Sequence, residues 1–180
     1  VADLAPLALE LALWGDVEGA ALTFLTPPPE GALGEARALL ARLGAVDSRG
    51  RITDHGRALA ALPVHPRLGH MLLLAGPDAA PLAALMAERD PLRGAPADLT
   101  LRLKALDGAR DLPGTADPGA LARIRKEAQR LARLAPAGVP PPPSPGAAAA
   151  LAYPDRIGLR RPGDAPRYLM SGGSGAAMPE

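Results

Sequence analysis

The sequence predicts a mainly α-helical fold, on the basis of its composition and the spacing of its apolar residues. The 180 residues include 39 Ala and 31 Leu, whereas Val and Ile together number only 8 and there are four aromatic residues. β-Branched and aromatic residues favour strands, so this composition leaves material for few of them. Apolar residues recur at helical spacing between Pro and Gly breaks, which predicts a series of short helices.

Residues 1–65 contain three helix patterns and a hairpin pattern. The first two apolar stripes are Leu4, Leu7, Leu11 and Trp14, then Leu33, Ala36, Leu40 and Leu43. A strand-like stretch at residues 22–25 lies between them. Residues 45–47 and 51–53 flank a turn that contains Gly50, which predicts a small hairpin, and Thr53 can cap the third helix. This order predicts a winged-helix domain over residues 1–65.

Residues 66–136 carry the pattern of a helical bundle. Pro66 suits the first position of a helix whose buried stripe is Leu68, Met71, Leu72 and Ala75. Asp78 and Asp98 are predicted to cap two further helices, and Asp117 with Pro118 opens a longer one that Pro136 terminates. Short helices with short connections are typical of a bundle.

A Pro-rich linker or loop is predicted over residues 137–146, since residues 138–145 read Gly-Val-Pro-Pro-Pro-Pro-Ser-Pro and favour neither helix nor central strand. Residues 147–180 predict a last helix followed by a truncated segment of strands. Its two strand patterns, residues 157–160 and 167–170, have no evident partner strand in the sequence.

The sequence predicts no catalytic residue and no metal site. There is no Cys, no Gly-Lys pair for a phosphate-binding P-loop, no Asp-Glu pair for magnesium and no Gly-x-Ser-x-Gly elbow. His55, His65 and His70 share no i, i+4 face, which favours capping and surface roles. No apolar run approaches the roughly 18 residues of a membrane span.

Charge is distributed unevenly along the chain. Residues 1–65 carry 5 basic and 8 acidic side chains, whereas residues 117–136 carry 5 basic and 2 acidic. On a helical projection, Arg123, Lys126, Arg130 and Arg133 fall within a sector of roughly 80°, opposite Leu121 and Ile124. Such a row can follow the phosphates of a single strand, so these four are the candidate nucleic-acid-binding residues. An ordinary solvated helix face is the alternative.

Several motifs, read in order, resemble the C-terminal accessory region of bacterial DEAH-box helicases of the HrpB type. The longest are Gly50-Arg51-Ile52-Thr53-Asp54-His55-Gly56-Arg57, Leu62-Pro63-Val64-His65-Pro66-Arg67-Leu68, Glu88-Arg89-Asp90-Pro91-Leu92 and Ala152-Tyr153-Pro154-Asp155-Arg156-Ile157. The resemblance covers nearly the whole chain. It departs at residues 171–175, where Ser-Gly-Gly-Ser-Gly replaces an Asn-Gly-Arg-Gly-like turn and leaves no Arg to act there.

The resemblance implies a winged helix, a helicase-associated or ratchet bundle and, over residues 147–180, a last helix and the start of a truncated β-barrel-like domain. It also implies two RecA-like motor domains elsewhere in the same polypeptide, which would hold ATP and magnesium, and a cytoplasmic, membrane-free protein that binds single-stranded RNA or DNA. No cofactor is expected in this segment, which lacks the P-loop and DEAH motifs and should be inactive alone. Arg67 is expected to bridge the winged helix and the bundle.

Two other functions are compatible with the sequence. A free-standing winged-helix regulator would read duplex DNA, but the winged-helix part is net acidic and its recognition helix offers only His55 and Arg57 beyond the cap. A protein-interaction scaffold would use the bundle and the Pro-rich stretch as docking surfaces.

Overall fold

The computed structural model describes residues 3–16, 22–163 and 165–177. The helices of these ranges are α1 (Ala5–Trp14), α2 (Glu30–Arg42), α3 (Asp54–Ala60), α4 (Pro66–Ala75), α5 (Ala80–Ala87), α6 (Leu99–Leu106), α7 (Pro118–Leu134) and α8 (Pro145–Ala152). The strands are β1 (Leu92–Arg93), β2 (Thr115–Ala116), β3 (Gly158–Arg160), β4 (Arg167–Met170) and β5 (Gly175–Ala177). Two 3₁₀ turns, Pro77–Ala79 and Pro154–Arg156, complete a mainly α fold, as predicted.

Helices α1, α2 and α3 surround the first hydrophobic core, which includes Leu11, Leu40 and Leu59. Between α2 and α3, an antiparallel bridge joins Val46 to Ile52, which confirms the predicted hairpin. The Thr53 hydroxyl accepts a hydrogen bond from the Gly56 amide and caps α3 as predicted. This arrangement has the order expected of a winged helix.

Two predictions for this first part of the chain are wrong. Residues 22–25 form no strand, because the three prolines that follow donate no amide hydrogens and no other described strand lies beside them. Trp14 is 70% exposed rather than part of the α1 stripe. At 100° per residue it lies about 150° from the centre of the face that α1 buries.

The second core lies among α4 to α8 and includes Met71, Leu72, Ile124 and Leu131. Helix α5 packs along α7, and α8 packs on α4, so α8 contributes Ala148 and Ala152 to the bundle. The predicted domain limits at residues 65 and 136 stay predictions.

The predicted helix ends are mostly confirmed. Asp98 and Asp117 accept hydrogen bonds from the Thr100 and Ala120 amides and cap α6 and α7. Asp78 is no cap, because Pro77–Ala79 forms a 3₁₀ turn and α5 begins only at Ala80. Residues 138–144 are irregular as expected, but Pro145 is the first residue of α8, where its missing amide hydrogen is not needed.

The strands form two small antiparallel sheets. β1 pairs with β2 inside the bundle region, and β3, β4 and β5 form a three-stranded sheet. The prediction that residues 157–160 and 167–170 lack partners is therefore wrong, since Leu159 lies opposite Leu169 and Tyr168 opposite Ala176. The Ser-Gly-Gly-Ser turn leads from β4 into β5, with Gly173 at φ 87°. No described helix is both long and apolar enough to cross a bilayer.

Candidate nucleic-acid interface

Helix α7 presents one apolar face and one basic face, as its sequence predicts. Pro118 occupies its first turn, and the Asp117 carboxylate accepts the Ala120 amide hydrogen at 3.0 Å. Leu121, Ile124, Ala128 and Leu131 are buried in the bundle core. The opposite face must therefore lie in solvent, and it is the face that carries the cations.

The four predicted residues line one groove. Arg123, Lys126, Arg130 and Arg133 are all exposed and surround a depression of about 580 Å³. Its other wall is the end of α5, Ala87 and Glu88. Because α5 packs along α7, it converts the basic face of a helix into one side of an open groove. The helix rises 1.5 Å per residue, so the row extends over about 15 Å.

One of the four cations is already paired. The Arg130 guanidinium donates from Nη2 to Glu127 Oε1 at 2.5 Å and from Nε to Glu127 Oε2 at 2.8 Å. This hydrogen bonding lowers the pKa of the Glu127 carboxyl, which is therefore ionised at neutral pH. Arg123, Lys126 and Arg133 form no ion pair with another described residue. The groove thus offers three available positive charges and a fourth shared with Glu127.

Arg125 belongs to the same helix but has a structural role. Its Nε donates to the Leu106 carbonyl at 2.7 Å and its Nη2 to the Ala105 carbonyl at 3.0 Å. These bonds cap the carboxyl end of α6, where the last carbonyls of a helix lack partners within the helix itself. The helical projection already placed Arg125 outside the basic row, but it contained no signal for these partners.

Arg67 is buried and connects α4 to the turn after α8. Its guanidinium donates to both carboxylate oxygens of Asp155, at 2.5 and 3.0 Å, and to the Ala152 carbonyl at 3.1 Å. It also lies over the Tyr153 ring, with Cζ 4.9 Å from the ring centroid. These bonds hold the segment that leads into β3. The expected bridge from Arg67 to the winged helix stays a prediction.

Sequence reasoning missed the role of Arg102, which orders the loop between α5 and α6. Its buried guanidinium pairs with the Asp90 carboxylate at 2.6 Å and donates to the carbonyls of Pro96, Asp98 and Leu92. The Arg102 hydrogen bond lowers the pKa of Asp90. The loop follows Glu88, so this network supports one wall of the groove. An Arg at mid-helix carries no signal of such carbonyl partners in the sequence.

The histidines cap and join helices. His65 Nδ1 accepts the Arg67 amide hydrogen at 3.2 Å at the start of α4, and its Nε2 lies 3.1 Å from Asp3 Oδ2. His55 Nε2 and His70 Nδ1 are 2.8 Å apart and link α3 to α4. Burial lowers the pKa of His70 to about 4. No cluster of three metal-ligating side chains occurs in the part of the chain that the structure describes.

The chain is similar in sequence to a helicase-associated domain family and to a helicase. Residues 36–64 match the helicase associated domain (HA2), winged-helix family. The ATP-dependent RNA helicase HrpB of Escherichia coli K12 is 34% identical over 182 residues, which cover 98% of this chain and 20% of that helicase.

Two solved structures share the fold. A crystal structure of the E. coli DExH-box NTPase HrpB has a TM-score of 0.73 at 33% identity, and one of the E. coli DEAH/RHA helicase HrpB has 0.72 at 30%. Each similarity covers 98% of this chain and 20% or 21% of the structure. The chain therefore spans about a fifth of the length of these relatives.

Proposed function

We propose that this chain, which is similar to the helicase HrpB over 98% of its length, is the C-terminal accessory module of an ATP-dependent DEAH-box helicase of that type. In this proposal the module guides a single nucleic-acid strand along the α7 groove. The observation that carries it is the alignment of Arg123, Lys126, Arg130 and Arg133 along one open groove.

The groove suits the backbone of a single strand better than a specific sequence. Its cations follow one line over about 15 Å, and a guanidinium can pair with phosphate through two hydrogen bonds. Among the residues that the structure describes, no aromatic side chain lines it. Phosphate contacts should therefore dominate, and binding should be weak, salt-sensitive and sequence-independent. The named relative is an RNA helicase, so RNA is the first substrate to test.

The chemistry of strand separation belongs, in this proposal, to other parts of the parent protein. Two RecA-like motor domains of the same polypeptide would bind ATP and magnesium and hydrolyse the nucleotide in the cytoplasm. This chain contains no Gly-Lys pair for a P-loop, so its own contribution is to hold the strand and to transmit motor movement.

The test is binding of the 180-residue chain to a fluorescein-labelled uridine oligonucleotide of about 15 nucleotides, measured by anisotropy at roughly 50 to 200 mM salt. The test variant changes the four groove residues to Gln. The control variant changes Arg110, Arg160, Arg161 and Arg167 to Gln, which removes the same charge from exposed positions outside the groove. Circular dichroism checks that both variants fold.

We expect the groove variant to bind at least about tenfold more weakly than the wild type. The slope of log affinity against log salt concentration should become shallower by about 2, because three available cations are lost. The control variant should retain most of the affinity. Equal losses of affinity in both variants would reject the groove as the nucleic-acid-binding site. A preference for duplex DNA would instead support a winged-helix regulator, and no binding at low salt would support a protein scaffold.

A further inference from the structure

The α7 groove opens into a second depression of about 500 Å³, with which it shares Ala87 and Glu127. The second depression is lined by Asp3, by Pro63 and His65 before α4, and by Tyr153 and Arg156 in the segment after α8. The two depressions adjoin at Glu127, so a strand that lies in the groove can extend to the second one.

The carboxylates that line the second depression already have partners. Asp3 Oδ2 lies 3.1 Å from His65, and Glu127 is held by Arg130. Asp155, which precedes Arg156 in sequence and does not line the depression, has both carboxylate oxygens bound by Arg67. These contacts reduce the repulsion that a phosphate would otherwise meet there. They also leave one cation of the second depression without a close carboxylate.

That cation is Arg156. Its side chain is 65% exposed, and its only ion pair among the described residues is a long one, with Nε 4.0 Å from Asp155 Oδ2. This distance is beyond hydrogen-bonding range. The reason is that Arg67 occupies the Asp155 carboxylate at 2.5 and 3.0 Å. Arg156 therefore keeps its positive charge and its hydrogen-bond donors for another partner.

Tyr153 supports Arg156 in a defined position. Arg156 Cζ lies 4.9 Å from the Tyr153 ring centroid, and Arg67 Cζ lies at the same distance from that ring. The partly buried Tyr153 ring is thus held by contacts with Arg156, in the segment after α8, and with Arg67 of α4. A guanidinium held over an aromatic ring presents its other face to a base and its edge to a phosphate, with less side-chain entropy to lose on binding.

We propose that Arg156 is a second nucleic-acid contact, which stacks on a base of the same single strand where that strand passes Glu127. This inference rests on the proposed function of the α7 groove. It adds a residue outside the basic row and gives the strand a path from α7 toward the winged helix.

The experiment measures anisotropy of the 180-residue chain with the labelled uridine oligonucleotide, using Arg156→Gln, Arg156→Lys and Arg161→Gln. Arg161 is an exposed arginine a few residues away that does not line the depression. We expect Arg156→Gln to weaken binding about five- to tenfold, because base stacking on a planar side chain is lost together with a charge. Arg156→Lys should recover only part of the loss, and Arg161→Gln should bind nearly as the wild type.

Two results overturn the inference. Arg156→Gln and Arg161→Gln would have equal affinities if Arg156 does not contact the strand. If the four-residue groove variant still binds poorly, this result rejects the Arg156 contact but not the proposed function. Wild-type affinity in the groove variant would reject the proposed function and this inference with it. Thermal unfolding followed by circular dichroism confirms that Arg156→Gln retains the fold, as expected for a mostly exposed side chain.

Discussion

Arg67 and Asp155 are 88 residues apart in sequence and form a two-bond ion pair, with Nη1–Oδ1 at 2.5 Å and Nη2–Oδ2 at 3.0 Å. Their side chains are only 10% and 19% exposed. The pair attaches the turn that precedes the β3–β5 sheet to the start of α4. Hydrogen bonding from Arg67 lowers the pKa of Asp155, so the pair stays ionised at neutral pH.

Removing either member of this pair should destabilise the fold. We expect Arg67→Ala to lower the free energy of unfolding by about 3 kcal/mol, because Asp155 would be left largely buried without its partner. Arg67→Lys should have an intermediate effect, since Lys keeps the charge but not the two-pronged geometry. Urea unfolding of Arg67→Ala, Asp155→Ala and the double variant gives the coupling energy. Strictly additive losses would contradict the pair's role.

Acidification should weaken the contact between α3 and α4. Burial, and then the neighbouring His55, lower the pKa of His70 from 6.5 to about 4. Burial also lowers the pKa of His55. The unfolded chain therefore binds more protons than the folded chain between these values, and stability decreases as the pH falls through that window.

We expect a loss of about 1 kcal/mol from pH 7 to pH 5, after allowance for solvent screening of these partly exposed rings. His70→Gln should show a flatter pH profile, measured by urea unfolding at both pH values. An equally steep profile in His70→Gln would assign the pH dependence to other groups.

Neutralising Glu127 should strengthen nucleic-acid binding. Glu127→Gln releases Arg130 from its two hydrogen bonds and adds a fourth available cation to the α7 groove. We expect about a two- to threefold gain in affinity and a log–log salt slope that is steeper by about 0.7. Asp111→Asn, at an exposed position outside the groove, is the matched control. A similar gain in the control would show that only net charge matters.

Replacing each of two glycines by alanine should change the free energy of unfolding in opposite directions. A Cβ at Gly56 in α3 would lie 2.1 Å from the Ala45 carbonyl oxygen, a backbone atom that cannot move aside easily. We expect Gly56→Ala to cost about 3 kcal/mol. A Cβ at Gly34 in α2 would meet nothing within 4 Å, so Gly34→Ala should stabilise by up to about 1 kcal/mol. Urea unfolding of both variants checks the signs, and a neutral Gly56→Ala would refute the close approach.

Local sequence rules located most helix ends and faces. The caps at Thr53, Asp98 and Asp117 depend on side chains within three residues of the amides they bind, so the sequence contains the whole interaction. The Glu127–Arg130 pair is equally local, at i, i+3, and the spacing could have revealed it. Asp78 and Trp14 were misplaced because a 3₁₀ turn and the orientation of α1 depend on packing.

The amino-acid sequence by itself determined the mainly helical class, the order of the helices and the basic row on α7, because composition, periodicity and capping act over a few residues. Tertiary structure alone decided that α5 makes that row into a groove, that Arg67 binds Asp155, and that β4 pairs with both β3 and β5. Each of these contacts joins residues from different elements. Their formation depends on how the hydrophobic faces pack, which no local pattern specifies.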